Sequence, residues 1–302
     1  MKFPLVGLIV AAAVLSPALA QNQEKDKPAI PLFAVDPFWP KPLPNNWMLG
    51  QVSGIAVDRF DRIWVVHRPG TLNERELAAA QNPPAAKCCF AAPPVLLFDQ
   101  SGNLLRSWGG PGQGYEWPQS EHGIFIDDND FVWLAGNGKQ DGQLLKFTMD
   151  GKLVLQIGKA GPIRGSNDTT ALGSPADVAV DVAAKEVFAA DGYANRRVVV
   201  FDSETGAYKR HWGAYGKPPS DEKTPPYDPA KSPSQQFGNP VHCIRIDKDG
   251  LVYVCDRSNN RLQVFARTAA SWRNTSTRRR RAAPARSTTS CSRPTRRRTS
   301  SI

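Results

Sequence analysis

The chain repeats a unit of two short hairpins, and this repeat constrains its fold more than any other feature. "SGIAVDRFDRIWVVHR", "EHGIFIDDNDFVWLAG", "PADVAVDVAAKEVFAADGY" and "PVHCIRIDKDGLVYVCDR" share one plan. A head leads into an alternating strand that ends in Asp, a polar turn follows, and a second apolar strand comes after it. The other half of the unit also recurs, as "PVLLFDQSGNLLRSWG", "QLLKFTMDGKLVLQIG", "RRVVVFDSETGAYKRHWG" and "NRLQVFAR". Apolar residues alternate at period two and the turns carry Gly, Asp or Asn, the pattern of antiparallel hairpins.

Equivalent head positions fall at Gly54, Gly123, Asp177 and Cys243, spacings of 69, 54 and 66 residues. A bare four-strand blade takes about 40–50 residues, so the surplus belongs to two long loops, the first running through "CCFAAPP" and the second through "KTPPYDPAKSPSQQ". One such unit cannot bury both of its faces, and stacked units bury each other's. The expectation is an all-β propeller over residues 50–267 with four legible blades. A β-sandwich would not account for the closing "WG" at Trp108 and Trp212, echoed as "IG" at Ile157.

Residues 1–20 have one Lys, an apolar run and a small-residue "ALA" ending at Ala20. That is the layout of a secretory signal peptide, and it predicts an exported protein, periplasmic or extracellular, with no stable membrane span. Residues 21–49 read as a Pro-rich, extended lead-in.

Ten Arg and no acidic residue fall in residues 268–302; removing these ten from the 38 basic residues leaves 28 against 28 acids. The net charge of +10 therefore belongs to the tail. A basic arm suits nucleic acid, but the neutral body and the export signal argue against that partner. Read one base out of frame, the stretch from Thr268 is compatible with DGSFVEEHV, a turn and strand that continue "VFAR". Trp272 and Cys291 each confine the shifted residue to Val, Leu or Met, at apolar strand positions. The expectation is a frameshift near Arg267, a disordered tail, and a last blade without its outer strand.

His122 and His242 occupy the same place in two heads, and propeller heads lie on the innermost strands. Both imidazoles should approach the central channel. Two readings stay open: a shared zinc ion, whose catalytic sites use three protein ligands and an open position, or plain channel hydrogen bonding. Cys243 and Cys255 lie symmetrically about Asp249 in "DKDG" and should face each other across a hairpin. A disulfide and a reduced pair are both compatible with export.

The units resemble NHL repeats, a family that usually closes as six blades, so the ring read here is truncated. Within that family, "QVSG", "HRPG", "EHGIFID", "DGYAN" and "DRSNNR" resemble peptidyl-α-hydroxyglycine α-amidating lyase from about Gly50 to Arg267. The resemblance implies a channel zinc held by His122, His242 and a third His from a later blade. It also implies a structural calcium taken by the backbone carbonyls of Ile55 and Ile124. Tyr193 would accept the substrate hydroxyl proton, and Arg68 and Arg257 would hold the glycine carboxylate, for which a guanidinium offers two parallel donors.

The implied reaction cleaves a C–N bond to give a peptide amide and glyoxylate, with a small peptide-like substrate. The competing expectation is a non-catalytic propeller that binds a peptide, glycan or envelope protein, since the scaffold alone does not choose.

Overall fold

Each head hairpin closes on an aspartate. Asp58 Oδ1 accepts the backbone N–H of Phe60 and Arg62 at 2.9 and 3.1 Å, and Oδ2 accepts Trp64 Nε1–H at 3.0 Å. Asp127 does the same for Asn129, Phe131 and the Trp133 indole. Asp247 holds Asp249, Leu251 and the Tyr253 hydroxyl. A short carboxylate that caps its own turn fixes the reversal, and the aromatic donor ties that turn to the next strand.

A computed structural model describes residues 32–269 and the strand Trp272–Thr275. The expected signal peptide, the start of the lead-in and the rest of the tail lie outside the described residues. The chain divides into two units, Met1–Pro37 and Phe38–Ile302. Residues 32–37 of the first contain no helix or strand, and all the blades belong to the second.

The lead-in ends in a short strand, β1 (Trp47–Met48), which pairs in parallel with β4 (Phe90–Ala91) of the first long loop. The first blade is β2 (Gln51–Val57), β3 (Ile63–Arg68), β5 (Val95–Phe98) and β6 (Leu104–Trp108). The second is β7 (Glu121–Ile126), β8 (Phe131–Gly136), β9 (Gln143–Thr148) and β10 (Leu153–Gly158). The third is β11 (Pro175–Asp181), β12 (Glu186–Asp191), β13 (Arg197–Asp202) and β14 (Tyr208–Trp212). The fourth is β15 (Val241–Ile246), β16 (Leu251–Asp256), β17 (Arg261–Ala266) and β18 (Trp272–Thr275). All are antiparallel meanders, so the propeller expectation holds with four blades among the described residues.

Strand β18 corrects the sequence reading, which left the last blade without an outer strand. Its register places Thr275 opposite Leu262 and Trp272 opposite Phe265. The turn before it closes with Ala269 N–H donating to Ala266 O at 2.8 Å. Edge pairing is made by backbone groups, so it forms here without an alternating apolar pattern.

The apolar cores lie between blades. Trp64, Val66 and Leu97 of the first blade meet Ile124, Leu134 and Phe147 of the second. Trp133 and Leu144 meet Val187 and Phe201 of the third, and Phe188 and Val200 meet Val254 and Phe265 of the fourth. The "WG" motif belongs to these seams: the Trp108 ring lies 5.1 Å from Phe147, and the Trp212 ring 5.8 Å from Phe265. The outermost strand of one blade thus reaches the third strand of the next.

The lead-in is more than a linker, since Trp39, Leu43, Trp47 and Leu49 pack over Val65, Leu96 and Phe98 on the far face of the first blade. Covering an end unit in this way is what stacked repeats need. No helix among the described residues is long and apolar enough to cross a membrane.

Candidate channel site

The motif "DGYAN" positions a tyrosine by burying the residues around it. Asp191 is 0% exposed and accepts N–H groups from Gly173 (2.6 Å), Asn195 Nδ2 (2.8 Å) and Arg197 Nε (2.8 Å). Arg197, also 0% exposed, donates further to the carbonyls of Ser166, Asp168 and Ala171. "DRSNNR" repeats the clasp: Asp256 accepts from Gly238 N, Asn259 Nδ2 and Arg261 Nε, and Arg261 donates to Ser234 O and Gln236 O. The Asp, Asn and Arg of both motifs are therefore structural. The residues between them, Tyr193 and Arg257, are the ones free to serve the channel.

Gly192 is required at its position. A Cβ there would lie 2.0 Å from Val241 O and 2.3 Å from Val241 N, so this residue lets the loop of the third blade touch the head strand of the fourth. Tyr193 then projects beside His242. Gly123 does the same in the second blade, where a Cβ would lie 2.8 Å from the Asp177 Cα of the third.

Three rings from three blades converge. The His122 and His242 centroids are 5.0 Å apart, Tyr193 lies 5.2 Å from His122, and His242 lies 5.8 Å from Tyr193. His122 Nδ1 is 2.7 Å from Ala176 O, so it carries the proton and donates. Its Nε2 is then an acceptor, 3.0 Å from the Tyr193 hydroxyl. Arg257 Nη1 donates to the same hydroxyl at 3.4 Å.

Burial pushes both imidazoles down to about 4. For His122 the Ala176 carbonyl opposes the shift while Arg68 and Arg257 add to it; for His242 the neighbouring His122 and Arg257 add to it. At neutral pH both rings keep a lone pair. Arg68 is held apart from the tyrosine: its Nε donates to Glu121 O at 2.7 Å and its Nη2 to Asn137 Oδ1 at 3.1 Å.

For zinc, the donor chemistry fits incompletely. A ring nitrogen that donates to a carbonyl leaves the other nitrogen oriented for a metal, and His122 is arranged so. His242 is the second neutral imidazole. Among the described residues no group of three His, Cys, Asp or Glu side chains gathers to complete a site.

For calcium, the fit fails. Ile55 and Ile124 line one recess with His122, Asp177, His242 and Arg245. The Arg245 Nη1 lies 2.5 Å from Asp177 Oδ2 and 2.5 Å from Ile244 O. The one carboxylate among the described residues lining that recess is thus already neutralised by a guanidinium.

Sequence reasoning missed Arg245 and Asp177. The signal for Arg245 was present, because the equivalent positions of the other heads are Ala56, Phe125 and Ala179. Cys243 and Cys255 are register partners across β15 and β16, with Cα atoms 4.9 Å apart and their sulfurs joined. Cys88 and Cys89 of the first long loop are also joined.

The NHL repeat family model matches residues 241–265, the hairpin and third strand of the fourth blade. NHL repeat-containing protein 3 of Mus musculus is 26% identical over 250 residues, covering 80% of this chain and 59% of its own length. The probable peptidyl-alpha-hydroxyglycine alpha-amidating lyase of Caenorhabditis elegans is 25% identical over 221 residues, 72% of this chain and 56% of its own. Peptidyl-glycine alpha-amidating monooxygenase B of Xenopus laevis is 27% identical over 237 residues, 76% of this chain and 24% of its own. The chain thus spans between about a quarter and three fifths of these relatives. It is an NHL-repeat β-propeller distantly related to the amidating lyases and monooxygenases and to NHL repeat-containing protein 3.

Proposed function

We propose that this channel belongs to a lyase of the amidating type, which splits a peptidyl α-hydroxyglycine into a peptide amide and glyoxylate. The observation that carries the reading is the Tyr193 hydroxyl, set between His122 Nε2 at 3.0 Å and Arg257 Nη1 at 3.4 Å beside the His242 ring. The relationship to the amidating lyase of Caenorhabditis elegans supports it.

In the reaction the substrate's O–H and C–N bonds break, a C=O bond forms, and the amide nitrogen gains a proton. Tyr193, as its phenolate, would take the hydroxyl proton and pass it to the leaving amide nitrogen, its oxygen fixed between His122 and Arg257. Arg257 would orient that oxygen and, with Arg68, face the substrate carboxylate. Zinc, held by His242 and by the His122 Nε2 lone pair that otherwise accepts from Tyr193, would when bound polarise the hydroxyl oxygen. Export, as residues 1–20 suggest, would place the protein with secreted peptides.

The test is glyoxylate release from an acylated α-hydroxyglycine, with zinc supplied, above the spontaneous rate. Tyr193→Phe should lower the rate by about 10²–10⁴-fold while leaving the fold intact. Peptide binding without glyoxylate release would instead support a non-catalytic binding propeller.

A further inference from the structure

The recess at the inner end of the four blades holds a charge pair that the lyase reading does not use. Arg245 stands where the other heads carry Ala56, Phe125 and Ala179, so it is a local departure from the repeat. Its guanidinium meets Asp177, which is 3% exposed and also accepts the Ile244 N–H at 3.1 Å. One carboxylate on β11 therefore receives two donors from β15, joining the third blade to the fourth on the channel side. Ile55 of β2 and Ile124 of β7 line the same recess, so all four innermost strands surround this pair.

We propose that the Arg245 guanidinium is the resident cation of this channel and takes the structural place that a calcium ion holds in amidating lyases. Calcium binds through six to eight oxygens and relies on carboxylate charge. Here the charge of Asp177 is balanced by a guanidinium on the neighbouring blade instead of a metal ion. The guanidinium also donates to the Ile244 carbonyl at 2.5 Å, satisfying a main-chain oxygen that would otherwise face the channel. The inner wall is thereby closed by a side chain, and its integrity is independent of divalent cations. This inference does not rest on lyase activity, because its readouts are stability and calcium binding.

The experiment compares the full chain and Arg245→Met by thermal unfolding in chelator and in millimolar calcium, with calorimetric titration of calcium into each. The wild-type chain should melt at the same temperature in both conditions and show no calcium heat. Arg245→Met should melt lower in chelator, recover in calcium and bind the ion, because Asp177 is then free. Calcium binding or a calcium-dependent melt in the wild-type chain overturns the proposal, and so does an Arg245→Met chain as indifferent to calcium as the wild type. If Arg245→Met gives no soluble protein, Arg245→Lys decides: a soluble, calcium-indifferent product supports the resident cation, and an insoluble or calcium-dependent one overturns it.

Discussion

Replacing Arg197 by Met should destabilise the chain more than almost any surface change. Both members of the Arg197–Asp191 pair are buried, with side-chain exposures of 1% and 0% at an N–O separation of 2.8 Å. The substitution leaves a carboxylate without its counter-ion and three carbonyls without their donor. Removing one partner of a buried pair costs about 3–5 kcal/mol, against a total stability of about 5–15 kcal/mol for a typical domain. For a fold of this size the melting temperature should drop by about 6–20 °C.

Urea unfolding of the wild type, Arg197→Met, Asp191→Leu and the double variant would measure it. The double variant should cost no more than either single one, since it removes both charges together. A loss below about 1 kcal/mol for Arg197→Met, given the buried-pair range, would refute the reasoning. Additive costs in the double variant would do the same.

Gly192→Ala should cost about 1–3 kcal/mol by overpacking, because its Cβ meets the Val241 backbone at 2.0 Å; unfolding equal to wild type would show that the loop yields. Trp133→Phe should cost about 1–3 kcal/mol, the range for leaving a buried acceptor unpaired, since Asp127 Oδ2 loses its indole donor; the measure is again urea unfolding. His67 is buried, accepts the Gly50 N–H and sits 3.1 Å from Pro93 O, and burial lowers its pKa. The unfolded chain therefore binds this proton first, and stability should fall as pH drops below about 6.5. His67→Gln should flatten that slope in a pH series of unfolding curves; an unchanged slope would count against it.

The blades were legible because each strand alternates and each head strand leads into an aspartate whose contacts are local. The histidine pair was legible for a related reason, since equivalent places in two repeats become neighbours once the repeats close around an axis. The clasps were not, because Arg197 and Arg261 sit in polar runs that read as surface, and only the folded loops bring carbonyls around them. Strand β18 was invisible because backbone pairing asks little of side-chain pattern. Arg245 was overlooked although it breaks the repeat, since its partner lies 68 residues away in another blade.

Because the cores are seams shared by neighbours, no blade owns a hydrophobic interior. His122, Tyr193 and His242 come from the second, third and fourth blades, so two seams must be closed before the three rings can meet. Parting either seam dissolves the ring cluster while every hairpin keeps its own ladder. In hydrogen exchange the amides of β7, β11 and β15 should then open as one cooperative group, and the dissociation of the cluster should share the free energy of that opening. The channel chemistry of this chain is in that sense a property of its joints.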